Sequence, residues 1–176
     1  LRDRGAGTTI IVSPLLALMR DQINAATRLN LNAVTINSSN KDQWEQIEHD
    51  LLSGSVDLLL VSPERFNNED FTNRLLGPLT CAAGLFVIDE AHCISDWGHD
   101  FRPDYRRLVR VLELMPRGVP VLCTTATANN RVVQDIREQF GSKLSVLRGS
   151  LDRESLSLHA LRIPLPAQRL AWLANW

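Results

Sequence analysis

No apolar run in the 176 residues approaches the ~18 needed to span a bilayer; the longest aliphatic stretches, such as Leu58-Leu59-Leu60-Val61, fall far short. A secretory signal is missing as well. Arg2, Asp3 and Arg4 come first, and the apolar stretch after them, Ile10-Ile11-Val12, is too short for a signal core. Cysteine is scarce and unpaired: Cys81, Cys93 and Cys123 are odd in number, far apart and without a CxxC, which fits neither a disulfide framework nor a zinc site. Nor is there an excess of charge. Nineteen Lys and Arg against twenty Asp and Glu leave a formal −1, so a uniformly basic module is excluded and any polyanion must be held by local patches. Internal repeats and low-complexity tracts are absent too. What remains is read as a reduced, soluble, intracellular chain of ordinary globular usage, 44% hydrophobic and 22% charged. Its length is that of one domain, able to bury roughly 70% of its unfolded surface without staples.

Short β-branched or leucine-rich runs alternate with longer stretches of helical period. Strands are expected at Thr8–Ser13, Ala33–Ile36, Asp57–Val61, Leu85–Asp89, Pro120–Thr124 and Leu144–Arg148. Most are apolar on both faces, as a parallel strand covered by helices on both sides must be. Helices are expected from the spacing of Leu15, Leu18, Met19, Gln22, Ile23 and Ala26 and from that of Trp44, Ile47, Leu51 and Leu52. Tyr105, Leu108, Val109 and Leu112 repeat the pattern, as do Val132, Val133, Ile136 and Phe140 before the stop at Gly141. Strand–helix alternation of this kind predicts an α/β fold with a parallel sheet and right-handed crossovers. Met19 and Trp44 lie on apolar stripes and read as core, and Cys93 and Cys123 as small buried groups. Leu165-Pro166 reads as a linker. A new amphipathic helix (Leu170, Leu173, Ala174) follows from Gln168, with Trp172 and Trp176 facing a partner.

The segment Leu85-Phe86-Val87-Ile88-Asp89-Glu90-Ala91-His92 concentrates the chemistry. Four apolar residues make a buried strand, and two acids sit where it leaves the sheet, the edge at which open α/β sheets bind ligands. A carboxylate there can hold a hydrated Mg²⁺ on a nucleotide's phosphates, and a second can polarise water. Two solvated acids opening a loop would look the same. The loop that follows, His92 to Arg107, holds Trp97 between Asp96 and Gly98, then Phe101, Arg102, Arg106 and Arg107, with Arg110 just beyond. Aromatic faces stack on unpaired bases and guanidinium groups hold phosphates. The competing reading is that Trp97 and Phe101 pin the loop to the sheet. Thr125 and Thr127 likewise have two readings, one of them an ordinary helix N-cap before Val132.

Asp89-Glu90-Ala91-His92 resembles the DEAH box of superfamily-two helicases, and with the loop through Arg107 it resembles the RecQ type of 3′-to-5′ DNA helicase. Ile11 to Gln22 is similar to that family's motif Ia, Leu59 to Phe66 to the segment around motif Ib, Thr125-Ala126-Thr127-Ala128 to motif III, and Leu151-Asp152-Arg153 to the stretch leaving the first motor domain. The resemblance implies a RecA-like sheet and a motor that couples ATP hydrolysis to movement on single-stranded DNA and to unwinding of duplex DNA. Asp89 would hold Mg²⁺ through water, Glu90 would be the general base, and His92 would link the nucleotide site to the loop. Thr125 and Thr127 would couple ATP state to domain movement. Trp97, Phe101 and Arg102 would sense the DNA strand, while Ser13, Pro14, Asp21, Gln22, Pro63 and Arg65 would touch its backbone. Residues 1–163 would be part of motor domain one, and 164–176 the linker and first helix of motor domain two, its partner in the same chain. The cytoplasm, nucleoid or nucleus is the compartment such a motor implies.

One departure is large. No G-x-x-x-x-G-K-[S/T] phosphate loop occurs, and Gly5-Ala6-Gly7 runs into Thr8-Thr9 without a lysine. The 176 residues alone are therefore expected not to hydrolyse ATP appreciably. Two other readings remain at this stage: a single-strand binding module that never hydrolyses nucleotide, and a metal-dependent hydrolase using Asp89, Glu90, His92 and His99.

Overall fold

The computed structural model describes residues 5–95, 103–141, 144–149, 155 and 159–175. Five strands, β1 (Thr8–Val12), β2 (Ala33–Ile36), β3 (Leu58–Val61), β4 (Ala83–Ile88) and β5 (Val121–Cys123), form one sheet in the order β2-β3-β1-β4-β5. Every pairing is parallel. Helices α1 (Leu16–Arg28), α2 (Trp44–Leu52), α3 (Glu69–Ala82) and α4 (Pro103–Glu113) supply the four crossovers, and α5 (Asn130–Phe140) and α6 (Pro166–Ala174) follow β5. The expected α/β class and parallel sheet are what the chain adopts. By packing it divides into two units, Leu1–Ser145 and Val146–Trp176.

Ile10, Val12, Leu59, Val61, Phe86 and Ile88 are fully buried, because each central strand is covered on the face it turns inward. Met19 and Trp44 are core, as their spacing required. At the amino ends of β1 and β4 the register slips, Thr8 pairing with Ala83 and Thr9 with Leu85. The slip rests on two glycines. A Cβ on Gly84 would lie 2.4 Å from the backbone N and O of Gly7, and one on Gly7 would lie 2.2 Å from the carbonyl O of Ala82.

Two expectations need correction. Residues 144–149 form no strand: Leu144 packs against the core, but Leu147 is 98% exposed. Ser145 and Gly149 break the apolar pattern, and among the described residues β5 pairs with β4 alone. The second is an omission, since the sequence reading left Glu69–Ala82 without a helix. Gly77 and Pro78 there argue against one locally. Tertiary packing overrides them: Phe71, Leu75 and Leu79 are fully buried, and Phe71 meets Phe66 and Trp44 edge to face at 5.3 and 6.2 Å. Asn68 starts the helix by accepting from the Phe71 amide.

In the second unit α6 begins at Pro166, two residues before the expected Gln168, since proline suits the first helical turn. Arg169 donates to the carbonyls of Ile163 and Pro164 just ahead of it. None of its side chains is buried, and Leu170 and Leu173 are largely exposed.

Candidate active site at the carboxyl edge of the sheet

Register decides what meets at this edge. Val12 pairs with Val61 and with Ile88, and Ile88 with Cys123, so the next residues, Ser62, Ser13, Asp89 and Thr124, leave the sheet side by side. Hydrogen bonds carry the ladder one step further: the Ser13 amide donates to Val61, Asp89 to Val12 and Thr124 to Ile88, at 2.9–3.1 Å.

Asp89 is the centre of the row. Its Oδ1 accepts from the Thr124 hydroxyl at 2.8 Å and from the Glu90 amide at 3.0 Å, and its Oδ2 accepts from the Ser13 hydroxyl at 3.3 Å. Tyr105, fully buried at the start of α4, donates its hydroxyl to the Asp89 carbonyl at 2.9 Å. The carboxylate is thus fixed before any ligand arrives.

Glu90 follows in the left-handed region, φ 51° and ψ 45°, which an L-residue with a side chain adopts at a cost of about 1–2 kcal/mol. Such backbone is held only where the surroundings over-determine it. Here the Cys93 amide donates to the Glu90 carbonyl and the Ala91 amide to the Thr124 carbonyl, both at 2.9 Å. His92 Nδ1 then lies 3.1 Å from Glu90 Oε2 and 3.0 Å from Thr125 Oγ1. One imidazole nitrogen therefore faces both the second carboxylate and the hydroxyl that follows β5.

Thr125 Oγ1 also accepts from the Thr127 amide at 3.2 Å, but neither threonine caps α5. The cap is Asn129, whose side chain accepts from the Val132 amide. The N-cap reading of the threonines is therefore replaced by a turn that presents Thr125 to His92.

The expected strand-contact residues do not share one environment. Ser13 is fully buried and belongs to the Asp89 cluster, Pro63 is buried, Pro14 is half-buried and Asp21 is exposed. Gln22 Oε1 and Arg65 Nε are buried without a hydrogen-bond partner among the described residues. Trp97, Phe101, Arg102 and His99 lie outside the described residues, as does Leu151-Asp152-Arg153. The residues just before and after that loop are well placed. Ser95 is buried with its hydroxyl on the Asp135 carboxylate of α5, and Asp104 accepts from the side chain of Asn67.

The strand pattern puts Thr124 at the same sheet edge as Ser13 and Asp89, but the motifs give it no role. The available signal was register: a hydroxyl one residue past β5 stands beside an acid one residue past β4. The thiol before it, Cys123, packs against the core and is pushed up to about 11 by burial, so it stays neutral.

Among the described residues no three His, Cys, Asp or Glu side chains come together as a metal cage. One fixed carboxylate with a second beside it, backed by hydroxyls, instead suits a cation that keeps most of its waters, which is how Mg²⁺ is usually held. No described helix is long and apolar enough to cross a membrane.

Residues 2–136 match the DEAD/DEAH box helicase family. The chain is 38% identical to the ATP-dependent DNA helicase RecQ of Haemophilus influenzae, over 85% of its own length and 24% of that protein's. Against the RecQ helicase of Bacillus subtilis it is 37% identical, over 89% of this chain and 26% of that one. The RecQ-like DNA helicase BLM of Xenopus laevis is also 37% identical, over 94% of this chain and 12% of the relative. The chain thus spans about a quarter or less of the length of these relatives. Among solved structures, the helicase domain of Pyrococcus furiosus Hef superposes with a TM-score of 0.54 at 18% identity, over 79% of this chain and 28% of that one, a likeness of fold. The chain belongs to the DEAD/DEAH box helicases, and its curated relatives there are of the RecQ type.

Proposed function

We propose that the chain is part of the first motor domain of an ATP-dependent DNA helicase of RecQ type, with single-stranded and duplex DNA as substrates. The observation that carries this reading is the tie from Asp89-Glu90 through His92 to Thr125, which joins a metal-binding carboxylate and a base to the segment after β5. Bound Mg²⁺ and ATP would supply the electrophilic γ-phosphate. Asp89 would hold the metal, its oxygens kept in place by Thr124, Ser13 and the Glu90 amide. Glu90 takes the proton of the attacking water, and its carboxylate is aimed by the left-handed turn and by His92. His92 passes a change at Glu90 to Thr125, and Thr127 follows through its amide on the same hydroxyl. Trp97, Phe101 and Arg102 are proposed to read the strand and license hydrolysis. Residues 164–176 are proposed as the link toward a second motor domain, which their exposed Leu170 and Leu173 would meet.

The sequence holds no phosphate loop, so these 176 residues by themselves should turn over negligible ATP. A second reading, a clamp that binds single strands without hydrolysis, would require the complete natural protein to lack the loop as well. Measuring ATP hydrolysis by the complete natural protein, with and without single-stranded DNA, separates the two. Stimulation by DNA that is lost in Trp97→Ala, with no turnover in Glu90→Gln, is the expected result. Strand binding with no hydrolysis under any condition would leave the clamp.

A further inference from the structure

Thr124 makes three hydrogen bonds to the Ile88–Ala91 segment. Its amide donates to Ile88, the residue before the turn, and its carbonyl accepts from Ala91, the residue after Glu90, each at 2.9 Å. Between them its hydroxyl reaches Asp89 Oδ1 at 2.8 Å, on the same oxygen that takes the Glu90 amide. Among the described residues two donors occupy Oδ1, whereas Oδ2 takes only the longer bond from Ser13 at 3.3 Å. A carboxylate oxygen has two lone pairs, so Oδ1 is used up by the protein and Oδ2 is the oxygen with capacity left for a ligand.

We propose that Thr124 is a positioning residue for the reaction: its hydroxyl ties down Oδ1 of Asp89, and so turns Oδ2 toward the hydrated metal and stiffens the strained turn that aims Glu90. The inference rests on the motor reading above and adds to it a side chain outside the acid pair and the Thr125–Thr127 segment. Backbone pairing alone would hold β4 to β5 with any residue at 124; only a hydroxyl reaches the carboxylate. Because Thr124 is exposed, water competes for the same oxygen, and the effect of losing one such bond is about three- to tenfold.

The test uses Thr124→Val, which keeps the shape and removes the donor, beside Thr124→Ser, which keeps the donor. In the complete natural protein, the Mg²⁺ concentration for half-maximal DNA-stimulated ATP turnover should rise about three- to tenfold in Thr124→Val, with the KM for ATP at saturating Mg²⁺ little changed. Thr124→Ser should restore it. Without nucleotide, peptide-resolved amide exchange over residues 85–93 should quicken in Thr124→Val and not in Thr124→Ser, at an unchanged melting temperature. Wild-type behaviour of Thr124→Val in both measurements, or equal impairment of the two variants, overturns the proposal. An unsubstituted protein that hydrolyses no ATP would instead sink the motor reading, while the exchange comparison would still decide whether the hydroxyl holds Asp89.

Discussion

The two ends of the same strands are built on opposite terms. At their amino ends β1 and β4 approach as closely as backbones can, with Gly7 against Gly84 and the Thr8 hydroxyl spent on the Val56 carbonyl. At their carboxyl ends Ser13, Asp89, Glu90 and Thr124 are joined by hydrogen bonds to the Asp89 carboxylate, around a residue in left-handed backbone. One end is closed by the approach of two backbones; the other concentrates polar groups and strain. Stability and chemistry should therefore respond to different substitutions, although the positions sit on the same strands.

The sharpest separation should come from Glu90→Gln. Removing the base should lower DNA-stimulated ATP turnover of the complete protein by about 10²–10⁴-fold. Its melting temperature should stay within a degree or so, because Glu90 is only half-buried and lends no apolar packing. The opposite pattern is expected of Gly84→Ala, whose new Cβ would strike the Gly7 backbone. Overpacking of this kind costs about 1–3 kcal/mol, read as an earlier midpoint in urea, while turnover measured well below that midpoint should hardly change. If Gly84→Ala lost turnover without losing stability, the contrast between the two ends would be wrong.

Asn129→Ala probes the element that carries the segment after Thr127 into the core. Loss of the cap should cost about 1 kcal/mol in the same urea titration, and Thr127→Ala, which removes no cap, should cost less. The smallest effect concerns the thiols. At pH 8 a neutral alkylating reagent should modify exposed Cys81 and spare Cys123, as followed by intact mass. Burial raises the Cys123 pKa from 9.0 to about 11, so the folded state keeps a proton that the unfolded chain loses. Stability from this group is therefore complete below pH 9.0 and declines as the pH climbs toward about 11, a decline that Cys123→Ala should remove.

Local pattern carried the reading where one element alone decides the outcome. The apolar runs of β1, β3 and β4 could be buried only as central parallel strands, and Asp89-Glu90 had to emerge where the last apolar residue, Ile88, ended. The same logic failed where a distant partner decides. Pro78 and Gly77 speak against α3, yet Phe66 and Trp44, brought close by the fold, bury Phe71 and make the helix. Leu144 to Arg148 has the composition of a strand, but the residues described there form none.

What the sequence determined by itself, then, is the α/β class and the identity of the chemical pair, because strand periodicity and a buried run ending in acids are local properties. Only the tertiary structure decided which hydroxyls serve that pair. Ser13, Asp89 and Thr124 are separated by long stretches of chain and become neighbours through the register of β1, β4 and β5, which brings three strand ends to one level.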